Sequence, residues 1–492
     1  MAEGTAIRFD LASSVRMKSG KALVWLRRDF RLHDQAALHH AAKDCQSLVP
    51  VFILDPATLD SFAPGLKPHA AFFGSLLALR EKLQSKGRDI LLREGNPEKW
   101  IPELTRKFEV TTVYYNKDYE PQNRQRDLAV EAKLTLQGTR VRSFKDHVIF
   151  EESEVLSGAG TPMKVFTPYK NAALKRLKAE GLPAVLSAPQ SESFDTTPFP
   201  DATSDALWKQ IEEMVENGKA EASGLIPETG ETAARVRLRK FLEGPVAKYA
   251  DQRNFPANSE GHSRLSMDFR AGSVSCRFAL QSAWENEAPQ AQRDLFISEL
   301  FWHDFFIMIG HHFPHVFQGN FNAKYDGLKW RNDEAEFQAW CEGRTGYPIV
   351  DAGMRELVKS GFMHNRVRMV VAMFLVKDLL VDWRWGEKFF RQHLVDADWA
   401  INNGNWQWSA STGVDAAPYF RIFNPMTQGE KFDADGEYIR KWIPELARVP
   451  GKAIHKLEKS PLLLAPEYPA QVVDHSVARD RTLAAYNRAL AR

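Results

Sequence analysis

The sequence predicts an α/β domain with a doubly wound parallel sheet (Rossmann-like), a long connector and an all-helical domain, in that order. Three observations carry this. Apolar, β-rich runs alternate with helical patterns in the first third of the chain. A stretch rich in Ser, Pro and Thr follows. From Glu231 onward apolar residues recur almost purely at helical spacing. At 492 residues the chain exceeds what a single core ordinarily serves.

Strands are predicted at 22–26, 48–54, 90–93, 112–115 and 140–144, with helices at 35–44, 70–85, 97–108 and 124–136 between them. Strictly alternating elements imply a mostly parallel sheet covered on both faces. No GxGxxG follows the first strand and no P-loop occurs, so a dinucleotide held in the usual Rossmann manner is not supported. Between 151 and 226, Pro183, Pro189, Pro198 and Pro200 interrupt a polar segment, which predicts a surface connector with a few short helices. Helices are then predicted at 232–242, 275–284, 292–310, 334–341, 349–360, 365–380, 387–394 and 482–491. The expected division is a disordered extension at 1–20, the α/β domain at 21–150, the connector at 151–230 and the helical domain at 231–492.

No run approaches the 18 apolar residues of a membrane span, and the first twenty residues lack the apolar core of a secretory signal. Cys45, Cys276 and Cys341 are far apart and form no CxxC, which argues for a reducing compartment and against a disulfide framework or zinc site. A cytoplasmic protein is expected. A net charge of +2 leaves nucleic-acid binding open, since a local basic patch suffices for phosphate. Ten of the 13 tryptophans follow residue 280, which packing alone can explain but a ring-binding site can also use.

Several motifs carry chemistry. Gly261-His-Ser-Arg-Leu-Ser266 places hydroxyls and free amides before a helix, a start that suits an anion; taken alone it is also an ordinary pair of N-caps. In Gly361-Phe-Met-His-Asn-Arg-Val-Arg-Met369, Asn365 and Met369 share a helix face, flanked by Arg366 and Arg368. Arginines opening an otherwise apolar helix either reach solvent or pair with acids, and Asp396 and Asp398 are available. Gly404-Asn-Trp-Gln-Trp-Ser409 fits neither a helix stripe nor a strand, so it reads as a turn-rich aromatic platform.

Together with Trp25-Leu-Arg-Arg-Asp-Phe-Arg-Leu-His-Asp34, Lys164-Val-Phe-Thr-Pro-Tyr169 and Thr345-Gly-Tyr-Pro-Ile-Val-Asp-Ala352, these blocks resemble the photolyase/cryptochrome family from about residue 22 to 490. The likeness is greatest to class I cyclobutane pyrimidine dimer (CPD) photolyases. The resemblance implies FAD in the helical domain, bound by Tyr249, Ser263, Arg264, Leu265, Ser266 and Trp302. Arg368 paired with Asp396 would lie beside the flavin, Asn365 would complete that wall, Asp398 would hold the ring edge, and Asn402 would face N5. An Asn there is the photolyase choice; plant cryptochromes have Asp and animal ones Cys. A neutral amide tolerates an anionic reduced flavin better than a carboxylate does.

Trp330, Trp383 and Trp406 match the family's electron-relay tryptophans. Trp302 and Trp408 resemble the aromatics that sandwich a pyrimidine dimer, with Glu299, Asn365, Arg366 and Met369 completing the pocket. Arg253 and Arg421 would contact the DNA backbone, with Lys431. The implied reaction is electron transfer from photoexcited reduced FAD (FADH⁻) to a flipped CPD in UV-damaged DNA. Glu299, kept protonated by burial, would donate a hydrogen bond to the dimer. A single chain, without a membrane and nucleoid-associated on DNA, is expected.

Two positions depart from the family pattern. His262 stands where Ser or Thr is usual. Gln122 and Asn123 follow Tyr119-Glu120 where folate-binding relatives have an acid, so a second, antenna chromophore (folate, deazaflavin or another flavin) is left open. The alternatives are a cryptochrome-like blue-light sensor and a (6-4) photoproduct lyase; the latter would carry a second His at Asn365.

Overall fold

The computed structural model describes residues 18, 20–56, 59, 65–195, 202–457 and 465–491. Nearly all of the expected extension at 1–20, and Pro198 and Pro200, lie outside the described residues.

Strands β1 (Lys21–Leu26), β2 (Ser47–Leu54), β3 (Leu91–Glu94), β4 (Val110–Asn116) and β5 (Arg140–Phe144) form a parallel sheet in the order β3-β2-β1-β4-β5. The period of two divides each strand between two cores. Ala22, Val24 and Leu26 pack with Leu38 and Leu76, from helices α1 (Ala36–Asp44) and α2 (Leu66–Gln84). Leu23 and Trp25 pack with Ile101, Leu104, Val130 and Leu134, from α3 (Pro97–Lys107) and α4 (Pro121–Leu136). Burial on both faces is why β1 and β2 read as continuous apolar runs.

The connector holds more helix than expected: α5 (Phe166–Glu180) and the 20-residue α6 (Ala202–Glu221). Leu207, Ile211 and Val215 form a stripe on α6 that joins the sheet's core. A Cβ on Gly218 would lie 2.2 Å from the Leu66 carbonyl oxygen, so α6 presses directly on α2. The polar majority of α6 concealed that narrow stripe.

The helical domain runs through α7 (Glu231–Glu243), α8 (Tyr249–Gln252), α9 (Ser266–Ala271), α10 (Cys276–Trp284), α11 (Gln290–His312), α12 (Glu334–Cys341), α13 (Pro348–Ser360), α14 (Asn365–Met373), α15 (Trp383–His393), α16 (Trp399–Ala410), α17 (Pro425–Phe432), α18 (Glu437–Trp442) and α19 (His475–Leu490). Instead of one helix at 365–380, α14 widens into a π-helical turn at Phe374–Asp378 that carries Lys377 into the interior.

The Asn-Gly-Asn-Trp-Gln-Trp block is not a turn-rich platform. It lies inside α16, capped by Asp398, whose Oδ1 accepts from the Ala400 N–H at 3.1 Å. Its polar residues are tertiary anchors: Asn403 Nδ2 and Gln407 Nε2 donate to the Val316 carbonyl at 3.1 and 3.0 Å. Gly404 admits the Phe306 ring, which a Cβ would meet at 2.1 Å. A helix held on several sides shows no single apolar stripe.

Candidate active site

Two caps set the walls of the main cavity. His364 accepts from the Arg366 N–H at 3.1 Å and starts α14; Asp398 starts α16. Their first turns, with α11 and the 262–266 segment, enclose a cavity of about 450 Å³, and a lobe of about 130 Å³ adjoins it.

The cofactor residues implied by the resemblance converge there. Tyr249, Ser263, Arg264, Leu265 and Ser266 line one end. Trp302, Asn365, Arg368, Asp396 and Asp398 line the rest, and Asn402 lines the lobe. Arg368 donates from Nη2 to Asp396 Oδ2 at 2.8 Å and from Nε to the Met363 carbonyl at 2.8 Å. Asn402 Nδ2 donates to the Glu387 carbonyl at 3.0 Å, so the amide is oriented from behind.

Among the described residues, Asp396 Oδ1, His262 Nδ1 and Trp406 Nε1 of this lining are buried polar atoms with no hydrogen-bond partner. Burial without a hydrogen bond is costly, so they point to a polar ligand that satisfies them. Arg264 sits over the Phe362 ring at 4.3 Å and, among the described residues, has no carboxylate at ion-pair distance. A site with cations and hydroxyls at one end and aromatic faces at the other fits a dinucleotide such as FAD. His262 neither points away nor carries charge. Burial, and then Arg264, push its imidazole down to about 4; burial and His262 push His364 to about 3.

Of the expected substrate residues, Arg253, Glu299, Trp302, Asn365, Met369 and Trp408 line the cavity, whereas Arg366 and Arg421 do not. Arg366 donates to Asn254 Oδ1 at 2.7 Å and lies over Phe432, and Arg421 is exposed beside Phe423. Glu299 differs from expectation. Its side chain is 33% exposed, and Oε1 accepts from Arg253 Nη1 at 2.7 Å. The side chain thus faces a guanidinium and is only partly buried. Trp302 is stacked on Phe166 at 3.6 Å and 9°, which fixes its ring plane.

Trp406 and Trp383 are buried in one core cluster, with Trp330 packed against it. Trp406 borders the lobe, and its ring would touch a Cβ on Gly386, one turn along α15 from Trp383. The sequence reading gave no role to His364, His303, Phe166 or Phe362, although all but His303 stood inside quoted blocks or beside them. Residue type and spacing alone do not flag a capping His or a backing Phe. Arg28, which reaches Asp398, was missed because it belongs to the other domain.

Comparison with known proteins agrees with this geometry. Residues 22–190 match the model of the family described as DNA photolyase, and residues 296–488 that of the FAD binding domain of DNA photolyase. The chain is 40% identical over 489 residues to the deoxyribodipyrimidine photo-lyase of Escherichia coli, covering 95% of this chain and 98% of that one. Among solved structures it is similar to a class III photolyase from Agrobacterium tumefaciens, with a TM-score of 0.87, 37% identity and coverage of 98% and 100%. It is also similar to a photolyase from Sulfolobus tokodaii that contains two FAD molecules, with a TM-score of 0.80, 33% identity and coverage of 95% and 100%. The chain belongs to the DNA photolyase family and carries that family's FAD-binding domain.

Proposed function

We propose that this protein is a CPD photolyase that repairs UV-damaged DNA in light. The observation that carries the reading is one cavity that joins the FAD set, the unpartnered Asp396 and Trp406 atoms, and the aromatic pair Trp302 and Trp408. When bound and reduced, FAD supplies an electron to the dimer on absorbing blue light and takes it back once the cyclobutane has split.

The protein's own residues bind and orient. Arg264, Ser263 and Ser266 hold the phosphates, with Tyr249 and Leu265 beside them. Arg368 and Asp396 fix one edge of the flavin, and Asp398 the other. Asn402, its nitrogen committed to the Glu387 carbonyl, would offer its amide oxygen to the flavin. Trp302, held flat by Phe166, and Trp408 grip the flipped dimer, with Asn365 and Met369 closing the pocket. Glu299 is released to the dimer when a DNA phosphate draws Arg253 away. Arg366, Arg421 and Lys431, outside the cavity lining, would supply backbone contacts, and binding should weaken with salt. Trp330, Trp383 and Trp406 relay electrons inward from the surface. One chain supplies the whole cavity, so a monomer suffices, acting in the cytoplasm on nucleoid DNA.

Among the described residues the crevice at the sheet's carboxyl edge holds about 10 Å³, walled by Arg27, Arg28, Asp118 and His147; a second, light-harvesting chromophore (folate, deazaflavin or another flavin) stays part of the proposal without an assigned site. The test is repair of a thymine-dimer oligonucleotide by the reduced, FAD-bearing protein under blue light, with a dark control. Light-dependent recovery of thymines is expected. Flavin-bearing protein that repairs (6-4) lesions instead, or nothing, overturns the reading.

A further inference from the structure

The two domains meet at the carboxyl edge of the sheet. There the loop after β1 docks against the end of α9. Gly272 has φ +67°, and a Cβ on it would lie 2.0 Å from the Arg28 carbonyl oxygen. The Phe30 N–H donates to the Ala271 carbonyl at 3.3 Å, and Arg31 Nη1 to the Gly272 carbonyl at 2.9 Å.

This docking presents Arg28 to the helical domain. Its Nη2 donates to Asp398 Oδ2 at 2.5 Å and lies 2.8 Å from His147 Nε2. Its Nη1 donates to Glu120 Oε1 at 2.9 Å and is 3.6 Å from Asp118. Arg270, from α9, donates to Glu120 at 3.1 Å and lies 3.6 Å from Asp398. All of these side chains are less than a tenth exposed. Three carboxylates thus face two guanidiniums. Of the carboxylates, Asp398 alone lines the cavity, one turn of α16 before Asn402.

We propose that Arg28 is a positioning residue for the cofactor: a cation lent by the α/β domain that fixes Asp398 and sets the electrostatic potential at the flavin end of the cavity. The inference rests on the FAD reading above. A charge in a low-dielectric interior acts at longer range than one in water. Domain docking and cofactor binding therefore share a free energy, and each strengthens the other by the same factor.

The test uses the FAD-loaded protein and two variants, Arg28→Gln and Glu120→Gln, with flavin per chain and midpoint potential measured spectroelectrochemically. Loss of the Arg28 cation makes an anionic reduced flavin harder to form. The expected shift is at least tenfold toward the oxidised form, about 30 mV for a two-electron couple. Loss of the Glu120 charge moves the potential the opposite way, while its amide still accepts from both arginines. A merely structural role lowers stability in both variants and produces no opposite signs. A folded, flavin-bearing Glu120→Gln protein at the parental potential overturns the proposal, and it decides the matter even where Arg28→Gln fails to fold. Parent protein without flavin would defeat the FAD reading instead, and that is seen before any variant is made.

Discussion

The sheet's carboxyl edge and the helical cavity make an instructive pair. A doubly wound sheet offers its ligand crevice at the switch point, here between β1 and β4. Among the described residues that crevice holds about 10 Å³, between side chains that pair with one another: Arg27 with Asp127, Arg28 with Glu120 and Asp398. The larger space, about 450 Å³, is in the helical domain, and there Asp396 Oδ1 and His262 Nδ1 lack partners among the described residues. Fold class points to one place and unsatisfied polarity to the other. The second is the better guide, because a buried polar atom without a partner has a cost that only a ligand or water removes. The ion pairs that cross it, Arg28 to Asp398 and Arg270 to Glu120, act as an interdomain lock.

Breaking the lock gives the largest expected effect. Gly272→Val adds a branched side chain where a Cβ already meets Arg28 and Asp29 backbone, at a φ that disfavours such residues. Overpacking and strain together cost about 3 kcal/mol or more, visible in the urea midpoint, and flavin should be lost with the docking. An unchanged midpoint and full flavin would mean that this approach does not hold the domains together.

The cavity-side counterpart is Arg368→Ala. Asp396 is 3% exposed in its side chain, and Arg368 is 25% exposed. Removing the guanidinium strands a buried carboxylate at about 2 kcal/mol, below the fully buried range because Arg368 is partly solvated. Reduced flavin retention is expected, with stability partly recovered by adding Asp396→Asn. Full flavin in Arg368→Ala would remove the pair from the cofactor site.

Acid should separate the regions next. His262 and His364 are held near about 4 and about 3 by burial first and by neighbouring cations next. The unfolded chain binds protons near 6.5 that the fold refuses, so stability falls as pH drops from about 6.5 toward 4. On the lock side Arg28 and the other cations hold the Asp398 carboxylate well below the usual range despite burial, so its ion pairs persist through that window. Apparent melting temperature against pH, for the parent and for His262→Asn, reads this directly: the variant's slope should be shallower.

Much of this was legible in sequence, and the failures have physical causes. Strands β1 and β2 were readable because they are buried on both faces, giving unbroken apolar runs, whereas the edge strand β5 (Arg-Val-Arg-Ser-Phe) shows only its alternation. The residues expected to hold FAD in the contiguous blocks 263–266 and 396–402 do line one cavity and its lobe. Helix α16 was misread because its anchors are amides and a glycine, so neither period nor propensity marks it. The Arg253–Glu299 pair and the Arg28–Asp398 pair join residues 46 and 370 positions apart, and no spacing rule reports such partners.

The smallest change in stability should come from Trp406→Phe, and it bears most directly on what the cavity is for. Trp406 is buried, edge-on to Trp340 at 6.1 Å and to Phe390 at 4.9 Å, and its Nε1 has no partner. A phenyl ring keeps most of those contacts and removes an unsatisfied donor, so the cost in folding is about 1 kcal/mol at most. Its ring also borders the lobe and meets Gly386 on the helix of Trp383, where the proposed inward electron path would pass. Phe is harder to oxidise than Trp. Photoreduction of oxidised flavin should therefore fall by at least tenfold, while dimer repair by chemically reduced protein stays near parental, since that electron starts and ends at the flavin. Intact photoreduction would show that electrons enter by another route, with Trp340, in edge contact with the same ring, the first alternative to replace.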